Sequence, residues 1–200
     1  MDLKTLVLAT GNQGKMREFG AMLEPLGIEL KMQGELGVKE PEENGRSFIE
    51  NAIIKARAAS DQTGLPALAD DSGLCVDALG GAPGVYSARF AGVHGDDQAN
   101  NALLLEKLKD VEEERRGAHY CCALCLVRFK DDPMPLCVTG IWKGSIGRKA
   151  RGSGGFGYDP LFVVTGRNCT AAELPPQLKN LISHRGVALR RLVAMLEQAC

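Results

Sequence analysis

The chain has 200 residues, of which 44% are hydrophobic, and its 24 Lys and Arg nearly balance 25 Asp and Glu. This length and composition are sufficient for one domain with a well-buried core. The near-zero net charge excludes a basic surface for long nucleic acids, and the lack of any run of about 18 apolar residues excludes a membrane-spanning helix. A polyanionic substrate would therefore be small and held by a few local cations.

The first β-rich segment, 3–9, precedes a helix that begins after Asn12, a suitable N-cap, and runs to about residue 26. Lys15 adds a charge to the free N–H groups of the helix N-terminus, and this combination suits a phosphate group. An ordinary capped helix with a surface lysine explains the same pattern, and the Walker A motif is absent. Gly11 and Gly14 would let the turn before this helix approach a ligand closely. A second extended segment is predicted over 28–38.

An acidic loop, 39–45, leads into the second predicted helix. The capping box 47–50 begins this helix, which runs to about Thr63. Asn51 and Lys55 are one turn apart and share a stripe of its surface. Lys55 is thus a second candidate cation, although most helical lysines simply face solvent.

The most informative segment is the apolar run 67–69 followed by Asp70, Asp71 and a Ser-Gly pair. The pattern predicts a buried strand that ends in a turn, with two acids at the carboxyl end, where open α/β sheets usually build their sites. Side chains alternate along a strand, so the acids should point to different places. One could hold a divalent cation while the other orients a water or a lysine. An Asx-type turn cap explains the same residues without chemistry.

The middle of the chain alternates between loops, a helix and long strands. A Gly- and Pro-rich loop, 80–90, precedes a helix predicted over 96–109, and the charged run 110–116 is expected to be a solvated connection. Two long β patterns, 118–130 and 136–146, predict a hairpin. The chain shows no domain linker or internal repeat.

Seven cysteines, an odd number, argue against a complete disulfide framework. Without a signal peptide they indicate a reducing compartment, the cytoplasm. Cys122 and Cys125 match a C-x-x-C pattern, but residues three apart in a strand face opposite sides of the sheet. We therefore expect buried small apolar residues here, not a redox or zinc pair.

The loop 152–160 contains four glycines in nine residues. Such a loop is costly to order, which suggests that its backbone lies close to a ligand. Phe156 and Tyr158 offer aromatic faces for a flat ring, and Asp159 offers an acceptor for a base or sugar. A flexible hairpin before the strand 161–164 is the simpler alternative.

The C-terminal part begins with a capping box, 170–173, after which the chain is predicted to be helical to its end. Ser183 is expected to cap the last helix. His184 and Arg185 then provide side-chain donors beside the helix N-terminus. Such donors fit a keto oxygen on a base better than an exocyclic amine. A capped helix start with a surface arginine explains the same residues without a ligand.

Six spaced motifs together resemble the Ham1/RdgB family, inosine triphosphate pyrophosphatases that hydrolyse non-standard purine nucleoside triphosphates. The resemblance spans essentially all 200 residues. The motifs are Thr10-Gly-Asn-Gln-Gly-Lys15, Phe48-Ile-Glu-Asn-Ala52, Ala69-Asp-Asp-Ser-Gly73, Gly81-Ala-Pro-Gly-Val-Tyr-Ser-Ala-Arg89, Gly154-Gly-Phe-Gly-Tyr-Asp-Pro160 and Ser183-His-Arg-Gly186.

The resemblance implies an α/β fold in which helices flank a mixed, elongated β-sheet. It implies one pyrophosphatase domain over 1–200, with two lobes, a central nucleotide cleft and no separable linker. The expected reaction is Mg²⁺-dependent hydrolysis of ITP, dITP or XTP to the monophosphate and pyrophosphate, and the expected state is a cytoplasmic homodimer.

The resemblance also assigns roles to residues. Asp71 matches the general base and metal ligand, and either Glu42 or Glu43 matches its acidic metal partner. The expected catalytic set also includes three further residues: Asp70, Lys15 and Lys55. The expected nucleotide contacts are Thr10, Gly11, Asn12, Gln13, Gly14, Lys15, Ser72, Phe156, Gly157, Tyr158, Asp159, Lys179, His184 and Arg185.

Two other interpretations stay open at this point. A Maf-type nucleotide pyrophosphatase would hydrolyse different nucleotides. A non-catalytic protein would bind triphosphates without turnover, or respond to oxidation at Cys121, Cys122 or Cys125. The paired acids make a pure binder less favourable, because unneutralised carboxylates repel phosphate.

Overall fold

The computed structural model of the chain describes residues 4–198. In that range six strands form one sheet in the order β2-β1-β3-β4-β5-β6. β1 pairs in parallel with β2 and β3, whereas β5 and β6 are antiparallel, so the predicted mixed α/β sheet is confirmed. The strands are β1 (Thr5–Leu8), β2 (Glu29–Met32), β3 (Ala67–Val76), β4 (Gly117–Val127), β5 (Leu136–Ile146) and β6 (Phe162–Val164). The helices are α1 (Gln13–Leu23), α2 (Phe48–Thr63), α3 (Asp97–Lys107), α4 (Pro176–Ile182) and α5 (His184–Gln198).

The chain divides into two compact units. The first contains the chain up to Asp71, Cys122–Gly140 and the chain from Arg185 onward. The second contains Ser72–Cys121 and Ile141–His184. Within residues 4–198, no helix has the length and apolarity that a bilayer crossing requires.

Both faces of the sheet are buried in the first unit, as expected for parallel strands. Leu8 packs in a cluster with Phe19 of α1 and Leu189 of α5. Its neighbour Val7 packs on the other side with the alanines of α2, among them Ala56. The small alanines let α2 lie close to the strands, and this closeness brings the polar stripe of α2 to β3.

The second unit has a core of its own, built around aromatic side chains. Tyr120 and Phe162 lie 4.7 Å apart between ring centroids, and Trp142 and Phe162 lie 5.0 Å apart. Leu104 of α3 and its neighbour Leu108 are fully buried in the same cluster. This core supports the loop that contains Phe156 and the start of α5.

The structure corrects the prediction that β3 ends at the two acids. The strand continues through Ser72 to Val76, so Asp70 and Asp71 lie in its middle. Leu74 and Val76 are buried in the second core, which gives the continuation an apolar anchor. The Ser-Gly pair, typical of a turn, is here part of the strand because burial on either side outweighs its local preference.

Three further predictions need correction. Only the first part of 28–38 is a strand, because the chain turns into a 3₁₀ helix before Gly37, whose φ is 69°. Arg116 is buried rather than solvated and donates hydrogen bonds to the Leu108, Ile146 and Gly147 carbonyls. The C-terminal helical segment is broken before α4 and again at Ser183, which is extended. The predicted positions 3 and 199–200 lie outside the described residues.

The cysteines of β4 face the predicted sides of the sheet, but one of them forms a disulfide that was not predicted. Cys122 and Cys125 pack in different clusters, so they do face opposite sides of the sheet. However, Cys125 is joined to Cys137 by a disulfide, contrary to the expectation of unbonded core cysteines. These residues lie on the neighbouring strands β4 and β5 with Cα atoms 4.3 Å apart, a proximity that the sequence alone does not reveal.

Candidate active site

Asp70 and Asp71 lie in the first unit and point to different partners, as strand alternation predicts. Asp70 is fully buried, and Lys15 Nζ lies 2.5 Å from its Oδ1. Arg185 Nε donates to Asp70 Oδ2 at 2.8 Å, and the Cys122 thiol contacts the same oxygen at 3.2 Å. Arg185 also pairs with Glu18 of α1. Asp70 is therefore the centre of a buried charge network that joins α1, β3, β4 and α5.

Asp71 contacts the polar stripe of α2. Lys55 Nζ donates to Asp71 Oδ1 at 2.6 Å, and Asn51 Nδ2 lies 3.4 Å from Oδ2. Lys55 Nζ is also 3.3 Å from a carboxylate oxygen of Glu43. The predicted proximity of Asn51 and Lys55 is confirmed, and both face the same carboxylate.

The environments separate the pKa values of the two acids. Burial disfavours the charge of Asp70, but Arg185 and Lys15 outweigh it and hold the pKa of Asp70 well below its ordinary value. Burial raises the pKa of Asp71, Lys55 opposes this rise, and the charge of Glu43 adds to it. Burial lowers the pKa of Lys55, yet Asp71 and Glu43 outweigh that effect and raise it. The more basic carboxylate, Asp71, is the better proton acceptor of the pair.

The structure separates Glu43 from Glu42. Glu42 is exposed, whereas Glu43 is partly buried and shares the ammonium of Lys55 with Asp71. Gly45 makes this loop path possible: its N–H donates to Asn51 Oδ1 at 2.9 Å, and a Cβ there would lie 2.5 Å from that oxygen. The loop thereby lies against the start of α2, which Ser47 caps as predicted.

Asp71 and Glu43 are the residues of this unit that fit a magnesium ion. Mg²⁺ binds to proteins through one or two carboxylates and keeps water and substrate phosphate as its other ligands. Asp71 and Glu43, which share the ammonium group of Lys55, provide two such carboxylates. Within residues 4–198 the arrangement does not include a third His, Cys, Asp or Glu side chain close enough to complete a protein-only site.

The turn before α1 has the predicted cap. Asn12 Oδ1 accepts from the Lys15 N–H at 3.0 Å, and Thr10 Oγ1 accepts from the Asn12 N–H at 3.1 Å. Gln13 Nε2 donates to Met32 Sδ at 3.4 Å, while Gly14 is buried. At Gly11, a Cβ would approach Glu40 Oε1 to 3.1 Å, so the backbone passes close to an acid. The turn is ordered by its own side chains, and Lys15 is directed to Asp70.

A second group of predicted residues lies in the second unit. Lys179 Nζ of α4 donates to Asp159 Oδ2 at 2.6 Å, and the Phe156 N–H donates to the same oxygen at 2.9 Å. Lys179 also lies over the Phe156 ring, 4.9 Å from its centroid. Gly155 has φ +74°, and a Cβ there would lie 2.0 Å from Asp159 Oδ2. This glycine is therefore required for the buried Asp159–Lys179 pair.

Tyr158 does not present a ring face as predicted. It is 4% exposed in the second core, and its hydroxyl donates to the Ser87 carbonyl at 2.8 Å. Burial raises the pKa of this phenol. Phe156 is partly exposed and is the better stacking surface. Gly157 is held on both sides, because its N–H donates to Asp97 and its carbonyl accepts from Asn101.

His184 and Arg185 are adjacent in sequence but belong to different units. His184 stacks on Tyr120, with ring centroids 4.6 Å apart and an interplanar angle of 9°. Arg185 is 2% exposed, and its guanidinium pairs with two carboxylates of the first unit, Asp70 and Glu18. Ser72 is partly buried beside the two acids in β3.

Three contributing residues were not among the predicted site residues. Glu18 completes the Asp70 network, Asn51 contacts Asp71, and Tyr120 supports both His184 and Asp159, the latter through its hydroxyl at 3.4 Å. Asn51 could have been found from its stripe with Lys55 on α2. Glu18 and Tyr120 depend on contacts between segments far apart in sequence, which no local pattern shows.

The α/β sheet thus carries two buried carboxylate–lysine pairs on β3. The family model for the Ham1 family matches residues 6–195, and the chain belongs to this family, as predicted. A dITP/XTP pyrophosphatase of Photorhabdus laumondii is 51% identical over 98% of this chain and 100% of its own length. A relative of the same name from Pseudomonas aeruginosa is 56% identical over 98% of this chain and 96% of its own length. The structure of a HAM1 protein from Coxiella burnetii matches with a TM-score of 0.88 at 48% identity, covering 97% of this chain and 98% of that chain.

Proposed function

We propose that the chain hydrolyses non-standard purine nucleoside triphosphates, such as dITP, XTP and ITP, to the monophosphate and pyrophosphate. The observation that carries the proposal is the largely buried Asp71–Lys55 pair together with the partly buried Glu43, in which one lysine joins two carboxylates. The names of the pyrophosphatase relatives, at 51% and 56% identity over nearly the full chain, support the substrate class.

In this proposal Asp71 orients and deprotonates the water that attacks the α-phosphorus. Its raised pKa makes it a stronger base than an ordinary carboxylate. Lys55 holds the Asp71 carboxylate in place and places positive charge beside the reacting phosphate. Asn51 fixes the second oxygen of the same carboxylate.

We propose that Asp71 and Glu43 hold Mg²⁺, which when bound would neutralise phosphate charge and polarise the phosphorus for attack. Asp70 is assigned a positioning role. Its carboxylate is enclosed by Lys15, Arg185 and Cys122, and it fixes Lys15 in the first turn of α1. Lys15 and the α1 N-terminus are assigned to the phosphates.

The base contacts are assigned to the second unit. Phe156 offers a partly exposed ring, while the buried Asp159–Lys179 pair fixes the loop that carries it. His184, ordered by its stack on Tyr120, is assigned to the six-keto oxygen of the purine. Adenine has an amine at that position, so a site built around a donor rejects it, by roughly 10⁴–10⁵ in favourable cases. A cytoplasmic homodimer is part of the same proposal.

The experiment measures pyrophosphate release from ITP, dITP, XTP, GTP and ATP, with Mg²⁺ and with EDTA. The proposal predicts fast, Mg²⁺-dependent release from the first three substrates and little from the others. Equal hydrolysis of ATP and GTP, or release of orthophosphate, would leave a nucleotidase of another specificity. Binding without any turnover would support the non-catalytic alternative.

A further inference from the structure

A cluster of soft metal-ligand atoms lies in the second unit, apart from the residues assigned to catalysis. Cys75 of β3 and two residues of β4, His119 and Cys121, each offer one ligand atom within 4.8 Å of the other two. Within the part of the chain that the structure describes, no other set of three His, Cys, Asp or Glu side chains is arranged in this way.

Strand alternation explains why these three side chains share one surface. In β3, Leu74 and Val76 are fully buried in the aromatic core, so Cys75 between them faces the other side of the sheet. In β4 the same core contains Ala118 and Tyr120. His119 and Cys121 alternate with these core residues, so they face away from the core beside Cys75, and all three are partly exposed.

The two cysteines already contact each other. The Cys121 thiol donates a hydrogen bond to Cys75. Asp77 follows β3, and its Oδ1 lies 3.9 Å from His119 Nδ1. A carboxylate beside a ring nitrogen is the usual outer partner of a metal-bound histidine. The surroundings therefore supply thiol sulfur, imidazole nitrogen and an adjacent negative charge.

We propose that Cys75, His119 and Cys121 form a binding site for a thiophilic divalent cation, with Zn²⁺ as the ion that fits best. Two sulfurs and one imidazole nitrogen leave a fourth tetrahedral position for water. With bond lengths of about 2.0–2.3 Å, tetrahedral ligand atoms lie roughly 3.3–3.8 Å apart. The observed separations of up to 4.8 Å thus need only small side-chain movements. Each cysteine thiol would release its proton to solvent when the metal–sulfur bond forms.

This site differs in chemistry from the proposed magnesium site. Asp71 and Glu43 offer oxygen ligands for a hard cation, whereas the cluster of Cys75, His119 and Cys121 offers sulfur and nitrogen. Zinc at the cluster would join β3 to β4 and so stabilise the folded state, by an amount that grows with the logarithm of the zinc concentration relative to Kd. None of the residues assigned to hydrolysis belongs to the cluster, so the two proposals fail separately.

The test titrates the fully reduced, metal-free protein with Co²⁺ and then with Zn²⁺. Co²⁺ reports a thiolate ligand through a charge-transfer band and a tetrahedral site through its visible spectrum. The variants Cys75→Ser, Cys121→Ser and His119→Ala test the three ligands. Cys169→Ser is the matched control, since Cys169 is a partly exposed cysteine of the same unit outside the cluster.

The proposal predicts one Co²⁺ per chain with a thiolate band, displacement by Zn²⁺ and a higher Tm with Zn²⁺. The band and the Tm increase should be lost in both cysteine variants and kept in Cys169→Ser. His119→Ala should weaken binding at least roughly tenfold and alter the tetrahedral spectrum. Unchanged binding in Cys75→Ser and Cys121→Ser, with circular dichroism showing folded protein, would overturn the proposal. The proposal would also be overturned if wild-type protein, with its thiols shown to be reduced, gave no Co²⁺–thiolate band.

Discussion

Asp70 and Asp71 are consecutive residues of one strand, and their carboxylates belong to two separate ion-pair networks. Lys15 lies 2.5 Å from Asp70 and Arg185 lies 2.8 Å from it, whereas Lys55 lies 2.6 Å from Asp71. The consequence is a low pKa for the first acid and a raised pKa for the second. Two carboxylates with pKa values moved apart suit different roles, which in the proposed function are positioning and proton transfer.

Removing the charge of Asp70 should destabilise the protein strongly. Asp70→Asn leaves Arg185 and Lys15 without their shared carboxylate in a buried site, and breaking such a network costs about 3–5 kcal/mol. Chemical denaturation measures the free energy of unfolding. The matched control is Asp61→Asn, which removes an exposed ion pair with Lys130 and should change little. Equal stability of the two variants would contradict the positioning role.

The stability that Asp70 contributes should depend on pH. Its folded pKa is depressed, so its contribution is complete above the unfolded value of about 3.9 and is lost as the pH falls towards the folded pKa. Below about pH 4 the difference in unfolding free energy between wild type and Asp70→Asn should shrink by about 1.4 kcal/mol per pH unit. Denaturation curves at several pH values in EDTA measure it. If the difference in unfolding free energy stayed constant down to about pH 2.5, that result would contradict a depressed pKa of Asp70.

Glu43 and Glu42 should differ in their effect on metal dependence. Glu43→Gln removes a carboxylate that shares Lys55 with Asp71, so the Mg²⁺ concentration for half-maximal activity should rise roughly tenfold or more. Glu42→Gln changes the exposed neighbour by the same chemistry and should leave that concentration unchanged. Mg²⁺ titrations of pyrophosphate release compare them. Identical titrations for the two variants would exclude Glu43 as a ligand.

Gly155 should be far less tolerant of substitution than Gly166. Both have a positive φ, 74° and 75°, but a Cβ at Gly155 would collide with Asp159 whereas Gly166 has open space. Gly166→Ala should cost about 1–2 kcal/mol from the backbone alone. Gly155→Ala should cost more and raise KM for the triphosphate, because it displaces the Asp159–Lys179 pair beneath Phe156. Thermal unfolding and steady-state kinetics measure both effects, and equal losses would contradict the role of the pair.

Local patterns predicted most elements because those elements depend on nearby residues. The Asn12 cap, the Ser47 capping box and the shared stripe of Asn51 and Lys55 all follow from spacing within one helix. The opposite directions of Asp70 and Asp71 follow from strand alternation. These positions also make up much of the charged site of the first unit.

Features that depend on packing between distant segments were not predictable in this way. The continuation of β3 through Ser72 depends on the second core, and the burial of Tyr158 depends on the Ser87 carbonyl. Arg185 has the sequence context of a solvent-facing helix residue, yet Asp70 and Glu18 hold it in the interior. In each case a tertiary contact outweighs the local preference of the residue.

The most direct test of the account compares wild type with Asp71→Asn in ITP hydrolysis at saturating Mg²⁺, with Tm measured on the same samples. The asparagine keeps the size, and its one oxygen can still accept from Lys55, but its amide nitrogen faces the Asn51 donor and it cannot accept the proton of the attacking water. If Asp71 is the base, kcat should fall about 10²–10⁴-fold while the protein stays folded. Turnover close to wild type in the folded variant would contradict the assignment of Asp71 as the base.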